Sequence, residues 1–435
     1  MFKLRILKHW LTLFFRSNFR DREKLLQRQS RKLKAFEKEV LSSAPYYQKM
    51  LSEGLDIDSF PIVTKTEFMA EFNGINTVGL DREECMQAAV KAEKNKTFDS
   101  EIGGYTIGLS TGTSGNRGLF IVSEDERAQW AASVFYKVVK PRLFKKQNVA
   151  FCLRANSDLY ESVQSSFFSF KFYDIAAPVE DIIRNMQERK PDILCAQPSL
   201  LLLLTAAKES NQLNIFPNQI ISYAEVLDDA DRQKIESIFK LRITEIYQCT
   251  EGFLGHTCAH GTMHLNEDNI RFERQMIDNQ RFQPVITDFV RKSQPVVRYL
   301  LNDVLVLRAA PCPCGSAMTA VERIEGRTDD VLVGENEAGE LVYIFPDLVR
   351  RRIVWAGDKL TNYAVEQRSF SELIIFIETA EIDYINICEK IQKTLIQLFE
   401  EKGIKDMQIS CQKDLPPRDQ AAKMRRVYRT FEVSI

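Results

Sequence analysis

Neither sign of charge dominates this chain. Its 59 Lys and Arg oppose 60 Asp and Glu, a formal net charge of -1, so it lacks the electrostatic footprint of a bulk nucleic-acid binder. It also lacks an apolar run long enough to cross a bilayer near its start. Residues 2–15 are rich in Leu and Phe but are interrupted by Lys3, Arg5 and Lys8, and they fall short of the roughly 20 residues a span needs. No small-residue cleavage site follows, so the stretch does not read as a secretory signal. It reads as a helix packed on the domain surface. The alternative is an interfacial helix that puts residues 1–15 in weak contact with a membrane surface. No internal repeat or low-complexity segment stands out. Nine cysteines are scattered along the chain, which fits free thiols in a reducing, cytoplasmic compartment. Histidine is scarce, at four residues.

The chain does have bulk and one unusual loop. At 435 residues and 44% hydrophobic it can bury a large core and form two domains. Two apolar runs, Tyr105 to Leu109 and Leu119 to Val122, flank Ser110-Thr111-Gly112-Thr113-Ser114-Gly115-Asn116-Arg117-Gly118. The pattern predicts strand, glycine-rich loop, strand. Glycines allow the backbone N–H groups to converge on a ligand. With four hydroxyls and Arg117, the loop is suited to cradling a polyphosphate. No Gly-Lys-Ser/Thr follows and the glycines are not spaced G-x-G-x-x-G, so two familiar phosphate loops are excluded.

Residues 16 to 52 carry a helical pattern that Pro45 is expected to end. Lys65 opens a further apolar helical stretch. Beyond the loop, strands and helices alternate: a helix from Glu124 to Lys140, strands at 149–153, 193–196, 220–223 and 243–247, and helices at 181–189, 200–209 and 228–239. Ser199 is placed to cap the helix that follows it. Alternation of this kind implies an α/β fold with a parallel sheet, whose ligands sit beyond the carboxyl ends of the strands. Ala224-Glu225 and Gln248-Cys249-Thr250-Glu251 both follow such strands directly. Residues 370 to 435 instead read as a small α+β domain. The expected division is a large domain over 1–327, with parallel-rich sheets flanked by helices, and a small mobile domain over 328–435.

Three of the four histidines, His256, His260 and His264, cluster around Cys258, and Cys312-Pro313-Cys314-Gly315 follows downstream. Close Cys and His pairs of this kind build tetrahedral zinc sites. Cys258, Cys312, Cys314 and His264 are the favoured ligands, with His260 as the alternative fourth. Four filled positions make such a zinc structural rather than catalytic.

Several motifs, in order, resemble the adenylate-forming superfamily, and within it the branch of phenylacetate–CoA ligase and the deazaflavin-cofactor adenylating synthetase. They are Pro45-Tyr46-Tyr47, Phe60 to Lys65, the loop itself, Tyr247-Gln248-Cys249-Thr250-Glu251, Met263 to Asp268, Arg298 to Asp303, Cys312 to Gly315 and Gly326 to Asp330. The resemblance implies ATP, magnesium and a small carboxylic acid as reactants, with coenzyme A or another thiol as acceptor. The alternatives are AMP transfer to a hydroxyl acceptor, or a nucleotide-binding scaffold without catalysis. It also implies roles. Glu251 holds magnesium and Thr250 meets the α-phosphate. Ser110, Thr111, Gly112, Thr113, Ser114, Gly115 and Arg117 hold phosphates. Tyr247 lies against adenine with Ala224 and Glu225 opposite. Asp303 and Arg327 take the ribose, Asp329 is the pivot, and Lys423 stabilises the developing charge. Lys65 is a further phosphate contact, and a dimer is the family's expectation. The chain departs from the family where Leu300-Leu301-Asn302 stands for Arg-Thr-Gly, and where Ala422 stands for the Gly before Lys423.

Overall fold

The computed structural model describes residues 2–16, 19–94, 100–110, 118–139, 146–153, 168–175, 177–356, 360–416, 425–431 and 433. The loop residues Thr111 to Arg117 and Lys423 with its neighbours lie outside the described residues. The chain forms two compact units. The first comprises Met1–Gln275, Pro284–Leu301 and Leu307–Glu322. The second comprises Met276–Gln283, Asn302–Val306 and Arg323–Ile435.

The first unit is built on parallel strands in the order Phe168–Asp174, Gln147–Leu153, Ile193–Ala196, Gln219–Ser222 and Ile243–Cys249. Ile193–Ala196 and Gln219–Ser222 are buried at every position. Burial along the whole strand is what cover on both faces produces. On one face Leu194 and Ile220 pack with Met186, Leu201 and Ile235 from helices Val179–Arg189, Pro198–Glu209 and Asp229–Phe239. On the other, Val149, Ile193 and Ile221 pack with Trp130 and Val134 of helix Glu124–Lys137. That helix starts on a reciprocal capping box between Ser123 and Glu126, which satisfies otherwise orphaned N–H groups. After Ile243–Cys249 the pairing turns antiparallel, through Gly252–Thr257 and Met263–Leu265. The predicted hairpin forms as read, with Tyr105–Leu109 paired to Leu119–Val122. The mixed α/β expectation for the large part of the chain holds.

Two local expectations do not hold. Pro45 begins helix Pro45–Ser52 rather than ending one. The preceding helix, Arg22–Glu39, has already stopped, and proline at a first helical position loses no hydrogen bond. Ser199 lies inside helix Pro198–Glu209, whose N-cap is Gln197. The Ser199 hydroxyl and N–H instead donate to the Glu225 carboxylate, at 3.1 and 3.0 Å.

The second unit is α+β, as expected. Its sheet runs in the order Gln408–Lys413, Glu372–Glu378, Asn362–Ser369, Val427–Arg429. The central pair is antiparallel and the outer pairs are parallel. Helix Tyr384–Glu401 buries Ile387, Ile391, Leu395 and Phe399 against Val365, Leu373 and Ile375. Here the expectation of nine free thiols is corrected. Cys388 on that helix and Cys411 on the adjacent strand form a disulfide; the sequence gives no sign that the two meet. No helix among the described residues is long and apolar enough to cross a membrane.

A buried polar knot supports the first unit beneath its antiparallel strands. Lys137 donates to Asp268 at 2.6 Å and to Asn266 at 2.9 Å, with both charged side chains buried. The His256 ring nitrogen Nδ1 contacts the same Asn266 oxygen at 2.9 Å. Lys32 donates to the Asp268 carbonyl and to Asn269. Burial pushes the Asp268 carboxyl up, but the Lys137 and Lys32 ammonium groups outweigh it and hold it below its usual value. Burial likewise lowers His256 to about 3, which keeps it neutral. The Asp268 contribution to stability is therefore present above the ordinary carboxylate range and is lost as pH falls through the depressed folded value. Removing one partner of a buried pair leaves an uncompensated charge. Lys137→Met is expected to lower stability by about 3–5 kcal/mol, read from the urea midpoint at neutral pH. An unchanged midpoint would show that Asp268 does not depend on Lys137.

Candidate active site

Within the first unit, the base of the glycine-rich loop closes at Ser110 and Gly118. The Ser110 N–H donates to the Gly118 carbonyl, and the Gly118 N–H to the Ser110 hydroxyl oxygen, each at 2.7 Å. Lys65 Nζ reaches that hydroxyl at 3.3 Å. Gly118 packs closely on Lys65, since a Cβ on it would sit 3.1 Å from the Lys65 side chain.

Lys65 is held there by its own segment. It is the first residue of helix Lys65–Ala70, whose N-cap Thr64 forms a capping box with Glu67. Just before it, Val63 exchanges backbone hydrogen bonds with Arg298 and Leu300. Arg298 has a positive φ of 46°. Its guanidinium grips Glu273 at 2.8 Å and donates to the Asp58 and Phe60 carbonyls. The Phe60-to-Lys65 motif and the Arg298 motif, far apart in sequence, are therefore stitched together.

Glu251 follows strand Ile243–Cys249 at the carboxyl edge of the sheet. Its carboxylate accepts the Tyr299 hydroxyl at 2.9 Å and the Thr250 hydroxyl at 2.8 Å. Arg291, buried, donates to the Thr250 carbonyl at 2.8 Å and to the Ile121 carbonyl and Gln294 at 3.2 Å. Gln294 in turn accepts the Ile121 N–H at 3.0 Å. The strand leaving the loop is thereby tied to the strand end that carries Glu251. Lys65, Gly118, Thr250, Glu251 and Tyr299 line one pocket.

Other expected residues have different surroundings. Ala224 adopts a left-handed φ of 71°, an uncommon state for a residue with a Cβ. Glu225 is engaged by Ser199. Tyr247 is buried within its strand. In the second unit, Asp303 opens strand Asp303–Leu307, with Arg327 Nε 3.9 Å from its carboxylate. The short helix Thr328–Asp330 follows. Arg425 Nε holds Asp330 at 2.7 Å, and Arg429 donates to the Thr328 carbonyl at 3.1 Å.

The Cys/His cluster assembles in the first unit. The donor atoms of Cys258, His264, Cys312 and Cys314 all lie within 4.8 Å of one another. Gly255 lets the strands come close enough, since a Cβ there would meet the His264 carbonyl at 2.8 Å.

No family model matches the chain. A phenylacetate–coenzyme A ligase of Thermus thermophilus is 21% identical over 392 residues, 83% of this chain and 82% of that protein. The solved structure of a 2-hydroxyisobutyryl-CoA ligase, in complex with its acyl-AMP in the postadenylation state, superposes with a TM-score of 0.64. The match is 16% identical and covers 94% of this chain and 89% of the other. An anthranilate CoA ligase bound to anthranoyl-AMP superposes at 0.52, with 12% identity and 74% and 66% coverage. The chain has the fold of the adenylate-forming ligases.

In this adenylate-forming fold, sequence reading missed four participants. Arg291 and Gln294 carry no motif of their own, Tyr299 lies in the Arg298-to-Asp303 motif without a role assigned to it there, and Arg425 stands in a basic stretch. Their roles come from contacts made across more than 40 residues, which no local pattern records. The Leu300-Leu301-Asn302 departure is milder than it looks. Asn302 is not among the residues with positive φ, so glycine is not required there. Its carbonyl accepts the Thr328 N–H at 2.7 Å.

The Cys/His donors also fit a metal on geometry. Cys258 and Cys312 sulfurs are 3.7 Å apart, close to the ~3.8 Å edge of a tetrahedron with Zn–S bonds of about 2.3 Å. Cys314 Sγ lies 3.4 Å from His264 Nε2. His264 Nδ1 faces the Met318 carbonyl at 3.1 Å, the kind of partner that orients a ligating imidazole. His260 is exposed and offers its backbone N–H to Cys258. We propose that these four side chains hold a structural zinc. Purified protein is expected to contain about one zinc per chain. The double variant Cys312→Ser/Cys314→Ser should lose both the metal and thermal stability, because a closed site acts through folding. Metal-free protein whose Cys258, Cys312 and Cys314 all react readily with a thiol reagent would refute the site.

Proposed function

We propose that this protein activates a carboxylic acid with ATP and then transfers the acyl group to a thiol such as coenzyme A. The observation that carries the reading is Glu251. Its carboxylate is fixed by Tyr299 and Thr250 in a pocket that also includes Lys65 and the loop base at Gly118. The likeness to CoA ligases captured with acyl-adenylates supports the same assignment, and it favours a thiol over a hydroxyl acceptor. A cytoplasmic location suits this use of ATP and coenzyme A.

In the first half-reaction a substrate carboxylate oxygen attacks the α-phosphorus. The bond from that phosphorus to the bridging oxygen breaks, and pyrophosphate leaves. In the second, a thiolate attacks the acyl carbonyl and AMP leaves. The charge to be stabilised sits on phosphate oxygens, so positioning and electrostatics carry the catalysis. Glu251 would hold magnesium, which supplies positive charge to the phosphates. Lys65, Arg117 and the loop N–H groups would bind the phosphates, with Tyr247 and Ala224-Glu225 bordering the adenine. Asp303 would accept from the ribose hydroxyls beside Arg327. Residues 328–435 would move as the small domain, pivoting at Asp329 and delivering Lys423 for adenylation.

Pyrophosphate exchange against a panel of carboxylic acids, with and without coenzyme A, tests the reading. Glu251→Gln should keep the fold and lose exchange by about a hundredfold or more. Tyr299→Phe should lose about tenfold, the scale of one hydrogen bond to a charged group. Near-normal exchange in Glu251→Gln would remove the metal assignment. Lys423→Ala should lower adenylate formation by about a hundredfold and use of a pre-formed acyl-adenylate far less. Equal losses in both assays would argue against alternation of the small domain.

A further inference from the structure

Helix Phe2–Arg16 is two-sided. One side is pinned to helix Glu124–Lys137. Arg5 pairs with Asp125 at 3.2 Å and lies 3.8 Å from Glu124, and His9 Nε2 lies 3.1 Å from Asp125. Trp10 meets Tyr136 edge-on at 6.3 Å, and Leu13 is buried. The opposite side is apolar and uncovered. Leu4, Leu7, Leu11, Phe14 and Phe15 are 70, 52, 42, 54 and 77% exposed. At about 100° per residue, these five fall on one arc roughly 100° wide. Lys3 and Lys8, both exposed, fall on its two edges.

An isolated exposed leucine means little, but a contiguous apolar strip on a pinned helix does need an occupant. The charge pattern says which. The helix contains no acidic residue, and its lysines flank the strip on both sides. A second copy of the same helix would bring lysines to lysines with no carboxylate on either helix to match them. An anionic bilayer offers acyl chains to the strip and phosphates to both lysines, whose long stems reach the headgroups while the leucines and phenylalanines enter below. We propose that this helix lies in the plane of an anionic lipid surface and holds the protein there reversibly. One helix of this length gives marginal anchoring. The packed-helix and interfacial readings of residues 1–15 are then two faces of the same element.

Flotation of the full chain with lipid vesicles tests the proposal. Vesicles of phosphatidylcholine containing about a third phosphatidylglycerol should carry the protein, and phosphatidylcholine alone should carry much less. Binding should weaken at about 0.5 M salt, as the Debye length shrinks. Leu7→Glu/Leu11→Glu should reduce partitioning by about tenfold or more, and Lys3→Glu/Lys8→Glu should erase the preference for phosphatidylglycerol. All four positions are exposed, so the melting temperature should match wild type and separate lost binding from lost folding. Wild type that stays unbound by anionic vesicles, or a leucine variant that floats as well as wild type, would overturn the proposal. So would a concentration-dependent dimer that Leu7→Glu/Leu11→Glu dissolves in the absence of vesicle binding, since the strip would then belong to a second copy.

Discussion

A carboxylate at the end of a strand is free to rotate, and Glu251 is prevented from doing so by two hydroxyls. Tyr299 holds one oxygen and Thr250 the other. Everything around them serves to keep those hydroxyls in place. Tyr299 is buried, with Phe68 edge-on to its ring at 5.2 Å. Its strand is stitched to Val63, which sets the start of the Lys65 helix. Thr250 is held by Arg291, which also grips the strand leaving the loop. The pocket is thus assembled from four sequence segments, each fixed by backbone or buried side-chain contacts rather than by surface pairs, which contribute little.

The scaffold that supports this web is the parallel sheet. Its strands pair in parallel, which places their carboxyl ends at one edge. The structural zinc proposed here would act on the adjoining antiparallel strands. It would cross-link the turn at Cys258 to the Cys312–Cys314 loop and fix His264 opposite His256. The polar knot of Lys137, Asp268 and His256 reaches the same pair of strands through His256.

What could be read from sequence was what depends on local period. The hairpin bounds at Tyr105–Leu109 and Leu119–Val122, the strand Ile193–Ala196 and the helix ending at Arg189 all follow from apolar spacing and glycine. The Cys/His residues were legible as a group because their types are rare and their spacing close. The positions that misled were those where a local signal has two physical outcomes. Proline ends a helix or starts one, and Pro45 starts one. Serine after a strand caps or reaches across, and Ser199 reaches to Glu225. The meeting of Lys65 with Ser110, the disulfide between Cys388 and Cys411, and the pairing of Arg425 with Asp330 are tertiary facts with no periodic trace.

The balance of charge at Glu251 bears on whether the site is active or a remnant. Several half-buried or buried carboxylates among the described residues are paired with cations: Glu273 with Arg298, Asp268 with Lys137, Glu325 with Arg281 and Arg323, Asp330 with Arg425; others accept from neutral donors, as Glu126 does from Ser123, Ser293 and the Lys292 N–H. Either arrangement stabilises a carboxylate partly withdrawn from water. Glu251 is of the second kind. Among the described residues its hydrogen-bond donors are two neutral hydroxyls, while the nearby guanidinium of Arg291 is turned to the Thr250 carbonyl. Its orientation is fixed by those two hydroxyls. Under the proposed function, a carboxylate held in this way is one that a metal cation would complete. Lys65 lines the same pocket, and its ammonium reaches the Ser110 hydroxyl at the loop base.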